Sequence, residues 1–300
     1  METSHAIHLI NPVVVELWGP AAIRWYGLAY LAGFAAAFWL LLRWSKQGWL
    51  RVAADDIQSL IVYCVVGVMV GGRLGFLLFY DFASWRADPF LVVRIWQGGM
   101  ASHGGMIGLA VAMFLFARSR QIPLLHVSDA ICAASPLGIF FGRLANFVNG
   151  ELYGRSSEVP WAIYFPTERP EFFPGGAWAA HRYDVEVIHE FIAQGLIVPR
   201  HPSQLYAAFV EGLLLFAILA WLRRAGAWKV PGLLSAAFLF FYAWGRIAVE
   251  FVREPEIVYW GWLTQGQLLS VGMLVAAIIV WKYSRSAVSG GEGLTDRYPS

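Results

Sequence analysis

Three residues near the end of one apolar stretch are spaced so that their side chains share one face of a helix. They are Tyr242, Arg246 and Glu250, at positions i, i+4 and i+8. An arginine and a glutamate one turn apart can neutralise each other, which lowers the cost of burying either charge. A guanidinium group also binds phosphate through two parallel hydrogen bonds and keeps its charge when partly desolvated. The spacing therefore indicates either an internal ion pair or an anion site.

Two further arginines, Arg73 and Arg143, lie inside apolar stretches and have no carboxylate at helical spacing. Several arginines around one pocket would favour an anion as their partner, and in a lipid layer the available anion is a phospholipid headgroup phosphate. The alternative is pairing with carboxylates on other helices. The sequence leaves both interpretations open.

His103, in the segment SHGGMIG, is the only histidine within the predicted membrane spans. An imidazole can take a proton near neutral pH, so His103 is a candidate general base. The alternative is a simple hydrogen-bonding residue near the membrane surface.

The composition places these residues in a membrane protein. Apolar residues make up 58% of the 300 residues and charged residues 14%, against roughly 45–50% and 25% in soluble domains. This excess argues against a soluble enzyme, a disordered chain and a nucleic-acid binder. Cys64 and Cys132 are too few for a disulfide framework or a cysteine metal site, and no metal site is predicted. The first twelve residues hold no Lys or Arg, so no signal peptide is expected.

A helix needs about 20 apolar residues to cross a bilayer. Seven such runs are predicted, at roughly 22–42, 57–80, 98–117, 127–148, 203–223, 232–250 and 264–282. The predicted fold is therefore an all-α polytopic membrane protein of about seven transmembrane helices, forming a single integral membrane domain over residues 1–300. Glycines in the second and third runs indicate close helix packing or backbone bending beside a ligand. They are Gly71, Gly72, Gly75, Gly98, Gly99, Gly104, Gly105 and Gly108.

The loop charges predict the orientation. With the N-terminus outside, Lys46, Lys229 and Lys282 all lie inside, together with most of the arginines of the short loops. The chain is thus expected to be multi-pass, with a periplasmic N-terminus and a cytoplasmic C-terminus. Residues 150–202, between the fourth and fifth spans, would form a small periplasmic head. Residues 284–300 would form a mobile cytoplasmic tail.

This orientation gathers the polar side chains of the spans in the outer leaflet. A transporter needs polar lining across the midplane, and a channel needs a ring or a filter. The pattern instead favours a site that acts on a lipid of the outer leaflet. The polar groups concerned are Tyr26, Arg73, His103, Arg143, Asn146, Gln204, Glu211, Tyr242, Arg246 and Glu250.

Residues 142–154 read GRLANFVNGELYG, which closely resembles the signature G-R-x-G/A-N-F-x-N-x-E-x-x-G of the bacterial prolipoprotein diacylglyceryl transferases. All eight fixed positions of the signature are matched. The resemblance continues in other spans and covers nearly the whole chain, except for the head at about 155–200. The similar segments are IRWYGLAYLAGF at 23–34, GGMASHGGMIG at 98–108, RHPSQLYAAFVEG at 200–212 and YAWGRIAVEFVREPE at 242–256.

The resemblance implies a reaction at the bacterial inner (plasma) membrane. Members transfer the sn-1,2-diacylglyceryl group of phosphatidylglycerol to the lipobox cysteine thiol in the signal peptide of a preprolipoprotein. The product is a thioether, glycerol phosphate is released, and this is the first step of lipoprotein maturation. No cofactor is implied, and the partners are the two substrates and membrane lipid.

The resemblance also implies roles for residues of the site. Arg73 and Gln204 are added to that site because they lie at the same depth in the membrane. The catalytic residues would be His103, Arg143 and Arg246. The substrate-binding residues would be Tyr26, Arg73, Asn146, Glu151, Gly154, Gln204, Tyr242 and Glu250.

Three other functions remain open from the sequence. One is another lipid-headgroup or acyl transferase that uses the same outer arginines. The second is a lipid transporter or flippase, which the apolar inner half of the spans disfavours. The third is a structural membrane scaffold, which the cost of burying so many polar groups disfavours.

Overall fold

The computed structural model describes residues 5–18, 21–94, 98–169, 171, 184–255 and 257–289, and most of them are helical. Nine α-helices occur in these ranges. They are α1 Trp25–Lys46, α2 Ile57–Phe79, α3 Phe82–Ala87, α4 Ser102–Ser119, α5 Leu124–Val148, α6 Val185–Ala193, α7 Ser203–Arg224, α8 Leu233–Glu250 and α9 Gln265–Ser289. The chain divides into two compact units, one of residues 38–131 and one formed by the residues before and after that range.

Six of the helices are long and apolar enough to cross a membrane: α1, α2 with the turn before it, α5, α7, α8 and α9. The prediction of a mostly helical, polytopic membrane protein is therefore confirmed. The helix α4 is apolar but shorter, so the count of seven spans stays a prediction. The start of the predicted tail at residue 284 lies within α9, and residues 290–300 lie outside the described residues.

In the unit of residues 38–131, α2 packs against α4 through glycines on both helices. Gly67, Gly71 and Gly75 repeat every fourth residue on α2 and meet Gly104 and Gly108 of α4. A Cβ atom on Gly75 would lie 2.7 Å from the Cα atom of Gly104, closer than any real Cβ contact. Small residues let two backbones approach in this way, so the close packing predicted for Gly71, Gly75, Gly104 and Gly108 is confirmed.

Among the described residues of the other unit, seven short strands join the helices. They are β1 Ala6–Ile7, β2 Val13–Trp18, β3 Ala21–Arg24, β4 Ile163–Tyr164, β5 Pro199–Arg200, β6 Val258–Tyr259 and β7 Leu263–Thr264. Antiparallel pairing joins β2 to β3 and β6 to β7. In the third sheet β4 lies between β1, which is parallel to it, and β5, which is antiparallel.

The residues of the predicted head fold around this third sheet. Ile188 of α6 and Ile197 are buried, and Ile7 and Leu9 pack against them. The N-terminal strand is thus part of the head core, which the sequence did not predict. The side of the membrane on which the head lies stays a prediction.

His8, just after β1, is buried against the ring of Phe165. Its ring stacks on Phe165 with 5.2 Å between the centroids, and its Nε2 atom has no hydrogen-bond partner among the described residues. Burial lowers the pKa of His8, and the hydrogen bond from its ring to the carbonyl of Phe147 only partly offsets this effect. A proton added at Nε2 would have no acceptor, so the folded protein favours the neutral ring.

Because the pKa of folded His8 lies below the value of about 6.5 for an unfolded chain, the unfolded state binds a proton first as the pH falls. We therefore expect stability to be lost progressively below about pH 6.5. The His8→Asn variant should lose less stability than the wild type over the same range in thermal unfolding in detergent. His189→Asn, an exposed change on α6, is the control. Equal pH slopes in all three proteins would contradict this expectation.

Candidate active site

Two of the predicted arginines meet at one buried carboxylate, that of Glu211 on α7. Arg143 of α5 donates from Nε and Nη2 to Oε2 of Glu211, at 3.1 and 2.8 Å. Nη1 of Arg246 on α8 lies 3.7 Å from the other oxygen, Oε1. The Glu211 side chain is fully buried, whereas the two arginine side chains are 18% and 16% exposed. The two guanidinium groups therefore share a single oxyanion, and part of each arginine side chain stays exposed.

The backbone around Glu211 explains how three helices reach one point. Residues Ala208–Leu214 form a π-helical segment within α7, a local widening that is frequent at functional sites. A Cβ atom on Gly212 would lie 2.7 Å from the Cβ atom of Phe140 on α5. A Cβ atom on Gly245 of α8 would lie 2.9 Å from Val210. Both glycines are therefore required for α5 and α8 to pack this closely against α7.

Arg246 has a second partner one turn along its own helix. Its Nη2 atom lies 2.8 Å from Oε2 of Glu250, which is the ion pair that the spacing predicts. Glu250 is buried against the start of α9, where a Cβ atom on Gly266 would lie 2.5 Å from Oε2 of Glu250. The N-terminal end of a helix favours a negative charge beside it. Gly266 thus allows Glu250 to be buried beside this favourable end of α9.

Two tyrosines lie beside the arginine cluster, which consists of Arg143, Arg246 and Glu211. Tyr242 lies one turn before Arg246 and interacts with the Arg143 guanidinium. Tyr26 of α1 is close enough to Arg143 and Glu151 to interact with both, and its hydroxyl lies 3.3 Å from that of Tyr30.

The signature segment folds back on itself beside Arg143. Asn146 donates from Nδ2 to Oε1 of Glu151 at 2.7 Å, and Gln204 donates from Nε2 to the carbonyl of Glu151 at 2.8 Å. Gly154 follows in a tight crossing, where a Cβ atom would lie 2.7 Å from the Cβ atom of His201. Asn146 and Gln204 therefore fix Glu151, and Gly154 permits the close packing of this segment.

Arg73 and His103 belong to the unit of residues 38–131. The five N–H groups of Arg73 donate to backbone carbonyls of the segment that leads into α4. The acceptors are Leu91, Arg94, Gly98 and Gly99. These bonds occupy all five of its N–H groups, and its predicted substrate-binding role stays a prediction. His103 is the second residue of α4 and is half-buried.

The interhelical pairing that the sequence left open is thus present for Arg143, through Glu211, whereas Arg73 donates to backbone carbonyls. It does not exclude anion binding, because a carboxylate and a phosphate offer oxygens to the same guanidinium donors. Arg143 and Arg246 are already arranged to share one oxyanion. Chemically, the cluster can hold a phosphate and stabilise the charge that it gains when an attached carbon is attacked.

The chain matches the family model described as prolipoprotein diacylglyceryl transferase over residues 12–283, which include every site residue named above.

The chain belongs to the prolipoprotein diacylglyceryl transferase family.

Similar proteins carry the name phosphatidylglycerol–prolipoprotein diacylglyceryl transferase. The protein of Sinorhizobium medicae is 42% identical over 289 residues, covering 92% of both chains. That of Rhodopseudomonas palustris is 40% identical and covers 94% of each chain. That of Idiomarina loihiensis is 39% identical, covering 94% of this chain and 96% of its own.

Membership in the prolipoprotein diacylglyceryl transferase family confirms the resemblance seen in the signature segment, and it makes the chain a transferase of lipoprotein biosynthesis. The similarity to these relatives extends over more than nine-tenths of the chain. It therefore covers the head as well, where the sequence motifs gave no match.

Sequence reasoning placed Glu211 among the polar groups of the outer leaflet but gave it no catalytic or binding role. The available signal was a carboxylate inside an apolar stretch, seven residues after Gln204 and so on the same helix face. Among the described residues, no three His, Cys, Asp or Glu side chains are grouped so that they could hold a metal.

Proposed function

We propose that this chain transfers the sn-1,2-diacylglyceryl group of phosphatidylglycerol to the lipobox cysteine thiol of a preprolipoprotein. The observation that carries the proposal is that Arg143 and Arg246 share one oxyanion, the Glu211 carboxylate. The relatives named above are transferases whose printed name joins phosphatidylglycerol to a prolipoprotein. A phosphodiester is the oxyanion of phosphatidylglycerol, and bidentate arginines are suited to it.

The chemistry is a displacement at carbon. The peptide sulfur forms a bond with C3 of the diacylglyceryl group, the bond between C3 and the phosphate oxygen breaks, and the thiol proton is released. The leaving glycerol phosphate gains negative charge as the bond breaks. Guanidinium groups placed at that oxygen lower the energy of the transition state.

The nucleophile comes from the substrate, so the enzyme needs no cysteine in the site. Only the thiolate attacks well, and a free thiol has a pKa near 8.5. We assign the acceptance of the thiol proton to His103. The reaction as proposed uses no cofactor, because the arginines neutralise the leaving group.

The remaining site residues orient the substrates and the arginines. Tyr26 and Tyr242 flank the arginines, Asn146 and Gln204 hold Glu151, and Glu250 pairs with Arg246. Gly154 permits the packing behind them. Arg73 acts indirectly, by holding the segment before His103.

A labelling experiment tests the proposal. Purified protein is incubated with a lipobox peptide and with phosphatidylglycerol labelled either in the diacylglyceryl glycerol or in the headgroup glycerol. We expect the first label on the peptide and the second in free glycerol phosphate, in equal amounts. Headgroup label on the peptide would indicate a headgroup transferase instead. Movement of lipid without any labelled peptide would indicate a transporter.

We also propose an inner-membrane location, with the N-terminus and the head of residues 150–202 in the periplasm and the C-terminus in the cytoplasm. In a background where Cys64 and Cys132 are replaced by alanine, Glu190→Cys in the head should react with an impermeant thiol reagent added to spheroplasts. Lys229→Cys should react only after lysis. Both positions are exposed, so the reverse pattern would invert the proposed orientation.

A further inference from the structure

Glu211 occupies the position that a phosphate is expected to take between the two arginines. Its Oε2 atom accepts both available hydrogen bonds from one edge of Arg143, and its Oε1 atom has no hydrogen-bond partner among the described residues. The side chain has no solvent exposure. A phosphate that uses the same edge of Arg143 must therefore take these donors from Glu211.

The charges of the cluster balance before any ligand binds. In this cluster Arg143 of α5 and Arg246 of α8 face Glu211, Glu250 pairs with Arg246, and Tyr242 lies beside Arg143. Two positive and two negative side chains thus lie together. A phosphate brings a further negative charge close to the Glu211 carboxylate, and like charges repel strongly where water is excluded.

We propose that Glu211 is a positioning residue that serves as an internal anion. It holds the two guanidinium groups in place while the site is empty, and it competes with phosphate for them. This inference rests on the proposed function only in taking the ligand to be a phosphate-bearing lipid.

The competition has a consequence for turnover. The leaving glycerol phosphate is a monoester with more negative charge than the diester from which it comes, so the Glu211 carboxylate repels it more strongly. Glu211 therefore favours release of the product. Without the carboxylate the arginines would hold either phosphate compound more tightly.

The Glu211→Gln variant tests this competition, because it keeps the shape of the side chain and removes its charge. Binding is measured by the thermal shift that inorganic phosphate, and separately glycerol phosphate, produces in the full-length protein in detergent. We expect the dissociation constant of each to fall by about tenfold or more, as for donors freed from a charged partner. A side chain with a merely structural role would leave anion binding unchanged or weaken it, and either result would overturn the proposal.

Matched controls separate specific binding from the general stabilising effect of phosphate salts. Glu190→Gln removes an exposed carboxylate of the head and should bind as the wild type does, at the same ionic strength. Glu211→Asp keeps the charge and should also bind weakly. If Glu211→Gln and Glu211→Ala both fail to fold while Glu211→Asp folds, Glu211 is a structural counter-ion and the proposal is wrong.

The failure of this proposal about Glu211 can be distinguished from the failure of the transferase proposal. Wild-type transfer from phosphatidylglycerol with no tightening in Glu211→Gln would reject the internal anion and leave the transferase proposal intact. Tightening in Glu211→Gln without any wild-type transfer would support the internal anion and reject the transferase proposal.

Discussion

Replacing His103 by glutamine is expected to slow diacylglyceryl transfer by roughly 10²–10⁴-fold, the usual contribution of a general base. Glutamine keeps a hydrogen-bonding side chain at the second residue of α4 but cannot accept the thiol proton at neutral pH. The variant should recover part of its rate as the pH rises, because the peptide thiol then ionises without help. The measurement is the rate of peptide lipidation between about pH 6.5 and 9, a range that brackets the pKa of a free thiol.

His189→Gln is the matched control, since His189 is exposed on α6 in the head. It should retain the wild-type rate and pH profile. If His103→Gln is slow but its pH profile stays unchanged, His103 positions the substrate and another group takes the proton.

The second large effect is expected at the arginines. Arg143→Lys and Arg246→Lys keep the positive charge but lose the planar fork, which in Arg143 donates two hydrogen bonds to one oxygen. We expect each variant to lose at least about 1.4 kcal/mol of transition-state stabilisation, which is a tenfold loss in kcat/KM. The loss should appear mainly in kcat, because the charge on the leaving phosphate develops in the transition state.

Arg86→Lys, an exposed change on α3, controls for the substitution itself and should keep the wild-type rate. Thermal unfolding of each variant checks that the protein is folded. Near-normal activity in both Arg143→Lys and Arg246→Lys would mean that a point charge suffices and that the fork has no catalytic role.

The membrane helices could be predicted from the sequence because long apolar runs determine them locally. The run predicted at 232–250 is α8, Leu233–Glu250, and the run predicted at 203–223 is α7, Ser203–Arg224. The pair of Arg246 and Glu250 was predictable for the same reason, since both residues lie on one helix. The strand pairing of β1 with β4 was not, because it joins residues more than 150 positions apart and depends on the fold of the whole head.

The sequence identified candidate residues of the site, but it did not identify the contacts between them. Arg143 and Arg246 lie on different helices, and nothing in their spacing identifies Glu211 of a third helix as the shared partner. The π-helical segment that carries Glu211 was not predicted, because the sequence showed only an apolar run there. Arg73 resembled the other arginines in the sequence, and only the structure shows that it donates to backbone carbonyls instead of to a carboxylate.

The mass of the lipidated peptide, before and after treatment with neutral hydroxylamine, tests the central claim most directly. Displacement at carbon predicts a peptide that carries the complete diacylglyceryl group in a thioether bond. Hydroxylamine should leave that mass unchanged, and glycerol phosphate should appear in an amount equal to the peptide. Acyl transfer would instead attack a carbonyl and form a thioester. A peptide that carries a single acyl chain and loses it to hydroxylamine, with lysophospholipid as the by-product, would contradict the proposed reaction.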